Sequence, residues 1–184
     1  MQRDLVEAAR HGDHDAFEAL VIAAGDRLYS MARLIVRDTG LAEEAVQDAL
    51  LRAWRQLPSL RDPERFDAWV YRLLVHACAD VGRRNQRWSA EVRMIRSEPS
   101  LEDAAASLAT RDQLERGFRR LKPEQRAVIV LHHYLGLAVP EVAEIVGIPV
   151  GTTKSRIHYA MEVLRAAIEA DERDPVVATN GRTA

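Results

Sequence analysis

Apolar residues recur at three- and four-residue steps along most of this chain, and that spacing is typical of amphipathic helices. Breaks such as Pro58 and Gly147 separate one apolar stripe from the next. The pattern predicts helices in both halves of the chain: 15–35, 41–57, 66–81, 108–121, 123–136, 139–146 and 152–168. Aromatic residues make up only 5% of the sequence, and sheets favour aromatic and β-branched residues, so the predicted fold class is all-α.

The stretch 89–107 carries no sustained apolar stripe and contains the segment Ser-Glu-Pro-Ser. It therefore divides the chain into two small helical domains, 1–88 and 108–170, and we expect it to be a flexible linker. The final residues, 171–184, offer no apolar face to bury and are expected to form a disordered tail.

Composition narrows the class of protein. Hydrophobic residues make up 47% and charged residues 29% of the chain, which is globular and excludes disorder throughout. No apolar run approaches the roughly 18 residues of a membrane span, and the first residues lack the apolar core of a secretion signal. The single cysteine, Cys78, excludes an intramolecular disulfide framework and favours a reducing compartment. We therefore expect a cytoplasmic protein that does not insert into a membrane.

The segment 136–168 has the pattern of a helix-turn-helix. A short helix ends at Gly147, and a second helix follows that is capped by Gly151 or Thr152. Residues 108–168 hold nine basic against six acidic side chains, a modest excess that suits a polyanionic partner. On the polar side of the second helix we predict residues that enter the major groove of DNA: Thr152, Lys154, Ser155, Arg156, His158 and Tyr159. An ordinary amphipathic surface helix is the alternative interpretation.

Three blocks of sequence, taken in order, resemble the extracytoplasmic-function (ECF) sigma factors, promoter-recognition subunits of bacterial RNA polymerase. Residues 43–54, Glu-Glu-Ala-Val-Gln-Asp-Ala-Leu-Leu-Arg-Ala-Trp, resemble region 2.2 of that family, which docks on the polymerase. Residues 66–84 resemble the segment that melts and reads the minus-10 element. Residues 121–131 and 149–157 resemble region 4, which reads the minus-35 element.

The resemblance implies two binding surfaces in the first domain. Glu44, Gln47 and Asp48 would contact core RNA polymerase, whose β′ clamp helices and β subunit are the partners of the family. The loop before the third helix would capture an extruded base, and the outer face of that helix would contact the minus-10 strand. The residues carried over to this minus-10 surface are Arg61, Asp62, Arg65, Arg72, Val75, His76, Ala79, Arg83 and Arg84. Phe66 and Trp69 could stack on bases, but their place on the apolar stripe favours core packing.

Some positions depart from the family pattern: Val75, His76, Gly82, Ala138 and Tyr159. At Ala138 the usual serine is missing, and a lost helix cap costs about 1 kcal/mol. Because several of these positions belong to the DNA-reading surfaces, the promoter sequences read by relatives do not carry over to this chain. The resemblance further implies promoter DNA as a partner and an anti-sigma factor that hides both domains, and that could hold the protein at the membrane.

An enzyme and a stand-alone transcriptional regulator are the alternatives. His132 and His133 are adjacent, so they point about 100° apart on a helix and make a poor pair of metal ligands. We therefore expect no metal, no cofactor and no catalytic residue. A stand-alone helix-turn-helix regulator explains residues 108–168 equally well, but it leaves the block at 43–54 unexplained.

Overall fold

A computed structural model describes residues 2–95 and 109–172, and the side chains of residues 2–85 and 115–169. Every regular element in these ranges is helical, so the predicted all-α class is confirmed. The α-helices are α1 (Gln2–Arg10), α2 (His14–Val36), α3 (Thr39–Gln56), α4 (Phe66–Ile95), α5 (Ala109–Arg120), α6 (Pro123–Ile129), α7 (Val139–Val146) and α8 (Val150–Glu172). Helices α1–α4 form an N-terminal domain and α5–α8 form a C-terminal domain. Shorter 3₁₀ turns, Leu57–Ser59 and Pro63–Arg65, join α3 to α4, and a π-helical segment, Val130–Tyr134, follows α6.

Aspartate side chains set the starts of α2 and α3. The Asp13 carboxylate accepts a hydrogen bond from the Ala16 amide at 3.0 Å, and that of Asp38 accepts one from the Leu41 amide at 2.8 Å. Each bond satisfies an amide that has no partner within its helix, which stabilises a helix by about 1 kcal/mol. Between the two helices Arg37 takes a left-handed conformation, φ 63°, that ends α2. The helices predicted over 15–35 and 41–57 are confirmed as α2 and α3, which begin one and two residues before their predicted starts.

Helix α4 is longer than the sequence predicts. The predicted end at Val81 is wrong, because the helix runs through Gly82 to Ile95 and takes in the first seven residues of the predicted linker. A glycine within a helix costs only about 1 kcal/mol relative to alanine, and the arginines and glutamine that follow it favour helix. The rest of the predicted linker up to the start of α5, and the tail from residue 173, lie outside the described residues.

Three other elements differ from the apolar pattern. Helix α1 had no predicted counterpart, although Val6 and Ala9 on it are buried. The helix predicted over 123–136 is α6 followed by the π-helical segment. Helix α8 starts at Val150, ahead of its predicted cap, and reaches Glu172, two residues into the predicted tail.

Each domain buries the apolar stripes of its own helices. In the N-terminal domain the largest fully buried side chains belong to Leu28, Met31, Ile35, Leu57, Leu74, Val6, Val70 and Val81. In the C-terminal domain they belong to Leu121, Val128, Val130 and Leu131. Since burial of one such side chain contributes about 1.5–3 kcal/mol, these clusters hold each helix bundle together.

The two domains also pack against each other. Helices α6 and α7 contact α4, and α6 contacts α2, so the buried apolar residues of both domains form one cluster. We call this junction the domain seam; it contains Val75 and Ala79 of α4 on one side, and Ala127, Ile145 and Val146 of α6 and α7 on the other. The apolar pattern predicted two domains but gave no sign of this contact.

Candidate nucleic-acid interface

The predicted polymerase-binding residues share one side of α3. Glu44 and Gln47 are exposed and Asp48 is half-buried, while the buried alanines of α3 lie on the opposite side. The Glu44 carboxylate accepts a hydrogen bond from Arg84 of α4 at 2.7 Å. The structure thus brings a predicted polymerase contact and a predicted DNA contact together at the α3–α4 edge.

A network of four charged side chains holds α3 against α4. The Arg52 guanidinium lies 2.6 Å from the Asp48 carboxylate and 2.8 Å from that of Asp80, and Arg83 donates to Asp80 at 2.5 Å. Hydrogen bonds from Arg52 first and Arg83 second lower the pKa of Asp80, and the bond to Asp80 raises the pKa of Arg52. Helical periodicity alone does not predict this role of Arg52, since one of its partners, Asp80, lies 28 residues away along the chain. Because of this network, Asp48 supports the fold as well as facing outward.

A cavity of about 210 Å³ lies between the loop before α4, the first turns of α4, and Glu144 and Ile145 of α7. It brings together four of the predicted minus-10 residues, Arg61, Asp62, Arg65 and Arg72, and Trp69 lines it beside them. The loop is shaped by Pro63–Arg65, a 3₁₀ turn whose first residues are capped by Asp62; its carboxylate accepts from the Glu64 amide at 3.0 Å. A charged and aromatic recess of this kind can bind an unpaired base together with its phosphate.

The two aromatic residues at the start of α4 have different places. Phe66 is buried in the core, as expected from the apolar stripe, whereas Trp69 is half-buried and also lines the cavity. Their ring centroids are 6.1 Å apart. Core packing is therefore only part of what Trp69 does, because its half-buried side chain also lines the cavity.

The outer face of α4 is only partly accessible. Arg72 and His76 are exposed, but Val75 is 9% exposed and Ala79 is half-buried, since the C-terminal domain covers them. Val75 is therefore covered in this structure, and its contact with the minus-10 strand stays a prediction. A second cavity of about 110 Å³ remains between Val75, Ala79 and the C-terminal side chains, including Arg156.

The helix-turn-helix is present as predicted, with α7 and α8 joined by a short turn. Gly147 takes φ 70°, and its amide donates to the Ala143 carbonyl at 2.9 Å, which ends α7. The predicted cap of α8 at Gly151 or Thr152 is wrong, because the helix already begins at Val150. Inside its first turn Thr153 is fully buried, and its hydroxyl donates to the Pro149 carbonyl at 3.2 Å.

The predicted minus-35 residues of α8 form an open surface. Its exposed members are Thr152, Lys154, Ser155, His158 and Tyr159. Arg156 is half-buried, and it borders the second cavity, the one of about 110 Å³ beside Val75. Tyr159 is 56% exposed despite its aromatic ring, so its side chain is free to contact a partner.

The missing serine at the start of α7 is compensated locally. Ala138 has no side-chain acceptor, but its amide donates to the Glu141 carboxylate at 2.7 Å. The backbone amide of Ala138 therefore has a partner, the side chain three residues further along. This is one of the two hydrogen bonds of a capping box; the bond that a serine would supply is missing.

The part of the chain that the structure describes contains no cluster of three or more metal-binding side chains. His132 and His133 contact each other with ring centroids 4.6 Å apart, and His132 Nδ1 lies 2.8 Å from the Leu137 carbonyl oxygen, within hydrogen-bond distance. Within the same described ranges, no helix is long and apolar enough to span a membrane.

Comparison with known proteins gives a consistent family. Residues 20–88 match Sigma-70 region 2, and residues 111–164 match Sigma-70 region 4. The chain is similar to the ECF RNA polymerase sigma factor SigW of Bacillus subtilis, at 29% identity over 90% of this chain and 95% of SigW. It is also similar to the ECF RNA polymerase sigma factor SigM of Mycobacterium tuberculosis, at 32% identity over 83% of this chain and 77% of SigM.

Among solved structures, the fold is similar to that of the sigma factor RpoE in complex with the anti-sigma factor NepR from Bartonella quintana. The TM-score is 0.67 at 25% identity, over 84% of this chain and 98% of RpoE. The two regional matches lie in the same order as the two helical domains, and the second one contains the helix-turn-helix. The chain therefore belongs to the ECF family of RNA polymerase sigma factors.

Proposed function

We propose that this chain binds core RNA polymerase through the exposed side of α3 and reads a promoter through two separate DNA-binding surfaces. The observation that carries this proposal is the order of the two sigma regions, each of which coincides with a helical domain that presents its own polar surface. The domain limits that we propose remain 1–88 and 108–170, with the α4 extension reaching beyond the first limit.

The polymerase contact is proposed for Glu44 and Gln47, with Asp48 at its edge. Carboxylate and amide groups that lie one turn apart on an exposed helix can pair with basic and polar groups of a partner helix. Glu44 already pairs with Arg84, so a basic partner residue would compete for that carboxylate. The β′ clamp helices and the β subunit are the proposed partners on the polymerase.

The minus-35 contact is proposed for the first turns of α8. Small hydroxyl groups, a lysine and a tyrosine face solvent there, and a helix of this kind fits the major groove, which is about 12 Å wide. Lys154 and Arg156 supply positive charge for phosphates or base edges. Ser155, His158 and Tyr159, which are exposed on the same surface, would supply hydrogen bonds and apolar contacts to base edges.

The minus-10 contact is proposed for the cavity at the start of α4, which we call the base cavity. Unstacking a base costs a few kcal/mol, which stacking on Trp69 and hydrogen bonds from the loop must offset. Asp62 and Arg61 can bond to base edges, and Arg65 and Arg72 can bind the flanking phosphates. Melting would then be driven by the binding energy of the unpaired strand, with no bond chemistry in this chain.

We further propose that an anti-sigma factor regulates this chain and that the protein acts in the cytoplasm, where promoter DNA lies. Support comes from its similarity to RpoE, whose solved structure is a complex with the anti-sigma factor NepR. Binding of such a factor would compete with polymerase or DNA for the surfaces described above.

Run-off transcription with purified core polymerase on genomic DNA, followed by sequencing of the transcript starts, tests the function. The full chain should produce defined starts when it is the only sigma factor present. A stand-alone regulator would produce none without a resident sigma factor, and that outcome would overturn the proposal.

Variants separate the two activities. Glu44→Lys combined with Gln47→Lys should abolish holoenzyme formation in a pull-down, whereas Glu18→Lys, an exposed change on α2, should not. Asp48 is left intact, since changing it would also break its bond to Arg52.

On α8, Lys154→Ala should weaken minus-35 binding while holoenzyme formation is unchanged. Arg165→Ala is the matched control, because it removes the same charge from an exposed site about 16 Å further along the helix. Equal losses of DNA binding in both variants would contradict the assignment of the first turns of α8.

A further inference from the structure

We propose that the free chain is self-closed: its C-terminal domain docks on the minus-10 surface of its N-terminal domain, with the last turn of α7 as the plug. This inference rests on the proposed function for the identity of the blocked surface. It follows from the contacts of the domain seam, which cover residues assigned to promoter DNA.

The apolar part of the seam lies on the outer face of α4. Ile145 is 3% exposed and borders the base cavity, and its neighbour Val146 borders the second cavity beside Val75 and Ala79. The last turn of α7 therefore lies across α4 between the two cavities. Val75 lies between the exposed residues Arg72 and His76, and it lines the second cavity together with Ala127 and Val146 of the C-terminal domain and Ile35 of its own domain.

A carboxylate of α7 lines the base cavity and pairs with one of its arginines. Glu144 forms an ion pair with Arg65, one of the arginines proposed to bind a phosphate of the minus-10 strand. Carboxylates and phosphates use the same arginine donors, so DNA and Glu144 are alternative partners of this guanidinium. The C-terminal domain thus blocks the cavity both by its shape and by its charge.

Two further polar contacts fix the other end of the seam. The Arg126 guanidinium donates to the Phe118 carbonyl of its own domain at 2.9 Å and to the Ile35 carbonyl of the N-terminal domain at 2.8 Å. Arg37 of the N-terminal domain forms an ion pair with Glu115 of α5. The seam therefore extends from the start of α4 to the region of Gly82, about 25 Å along the helix at 1.5 Å per residue.

Closure covers the minus-10 surface and reaches only Arg156 of the predicted minus-35 residues. Glu44 and Gln47 of the polymerase face remain exposed, as do Lys154, Ser155 and Tyr159 of the minus-35 surface. A closed chain can therefore still meet polymerase or an upstream DNA element, but it cannot admit a minus-10 strand until α7 leaves α4. Opening is a step that must precede promoter melting.

The labelling rate of a thiol placed at the seam measures closure in the full chain. Val75→Cys puts a thiol of similar size under the C-terminal domain, and Ala166→Cys puts one on the exposed side of α8 as a control. The native Cys78 is fully buried and does not contribute. In a closed chain the thiol at position 75 should react with a maleimide at least about tenfold more slowly than the one at position 166.

A charge swap identifies α7 as the plug. Arg65→Glu or Glu144→Arg, introduced into the Val75→Cys chain, should each raise its labelling rate about threefold to tenfold, because a pair becomes a repulsion. The double variant Arg65→Glu/Glu144→Arg should return the rate to within about twofold of the parent. Glu18→Arg, which makes the same change in charge away from the seam, should leave the rate unchanged.

Equal labelling rates at positions 75 and 166, or single reversals without effect, would overturn the closed state. Either result would leave run-off transcription intact and the proposed function unharmed. The opposite outcome is also distinguishable. If the single reversals speed labelling, the double variant restores the parent rate and run-off transcription gives no product, the closed state is supported and the proposed sigma function is overturned.

Discussion

The contact between α5 and α8 allows a sharp test at Gly117. A Cβ atom added there would lie 2.9 Å from Leu164 Cδ2 and 3.2 Å from Ala167 Cβ. Leu164 is only 5% exposed, so its side chain has little room to turn away, and Ala167 has no side-chain torsion to adjust. Replacement by alanine therefore forces the two helices apart by a few tenths of an ångström.

Two effects of opposite sign decide the size of this change. Alanine is preferred over glycine within a helix by about 1 kcal/mol, and overpacking of a tight contact costs about 1–3 kcal/mol. We expect Gly117→Ala to lower the free energy of unfolding by up to about 2 kcal/mol. Gly25 provides the control, because it also lies within a helix but a Cβ there would meet nothing within 4 Å. Gly25→Ala should raise the free energy of unfolding by about 0.5–1 kcal/mol.

Urea denaturation of the full chain, followed by far-ultraviolet circular dichroism, measures both variants against the parent protein. The slope of the transition should remain the same, so that the shift in midpoint reports the free energy. If Gly117→Ala stabilises the chain as much as Gly25→Ala does, the close contact of α5 with α8 at Gly117 is refuted.

Other expectations concern the turn, the thiol and the ion network. Gly147→Ala should lower the free energy of unfolding by about 1 kcal/mol in the same urea assay, because φ 70° disfavours any side chain, while equal stability would refute the left-handed turn. Cys78 should resist iodoacetamide at pH 8 until urea unfolds the chain, since burial raises its thiol pKa to about 12, and rapid native alkylation seen by mass spectrometry would contradict this. Arg52 and Arg83 lower the pKa of Asp80, so its contribution is present above its unfolded pKa of about 3.9 and is lost as pH falls through the folded value. The stability difference between the parent and Asp80→Asn should therefore shrink below pH 4, and a pH-independent difference would exclude this origin.

Much of each domain was predictable because local signals and packing agree in it. The apolar stripes of α2 and α3 face the core, and Asp13 and Asp38 supply side-chain caps where the stripes begin. For α7, the run from Val139 to Gly147 contains the buried residues, the acidic first turn and the glycine that ends the helix, so its predicted limits match the structure. The exposed polar side of α8, which we propose to read DNA, then follows from the positions whose side chains are buried in the core.

The seam was not predictable from the same signals. Val75 and Ala79 are small apolar residues on the outer face of α4, and such residues suit both a closely approaching DNA strand and a packed helix. Ile145 continues an apolar run that is already explained by the core of its own domain. Helical periodicity shows which face of a helix a residue lies on, but not which residue it contacts. Contacts between distant segments, such as that of Arg126 with the Ile35 carbonyl, therefore cannot be predicted from it.

Three arginines assigned to the minus-10 surface are paired with carboxylates: Arg65 with Glu144, Arg83 with Asp80 and Arg84 with Glu44. DNA binding at the proposed minus-10 surface would therefore replace ion pairs and would not simply neutralise isolated charges. Exposed pairs are worth only about 0–1 kcal/mol each, so their loss is a small barrier to a strand that fits the cavity. It is nevertheless a barrier for every sequence, and with a net charge of −2 the chain lacks the strong positive field that would hold it on any DNA. Under the proposed function, selective binding to promoters would then depend on the cavity and on α8, where shape and hydrogen bonds could distinguish one sequence from another.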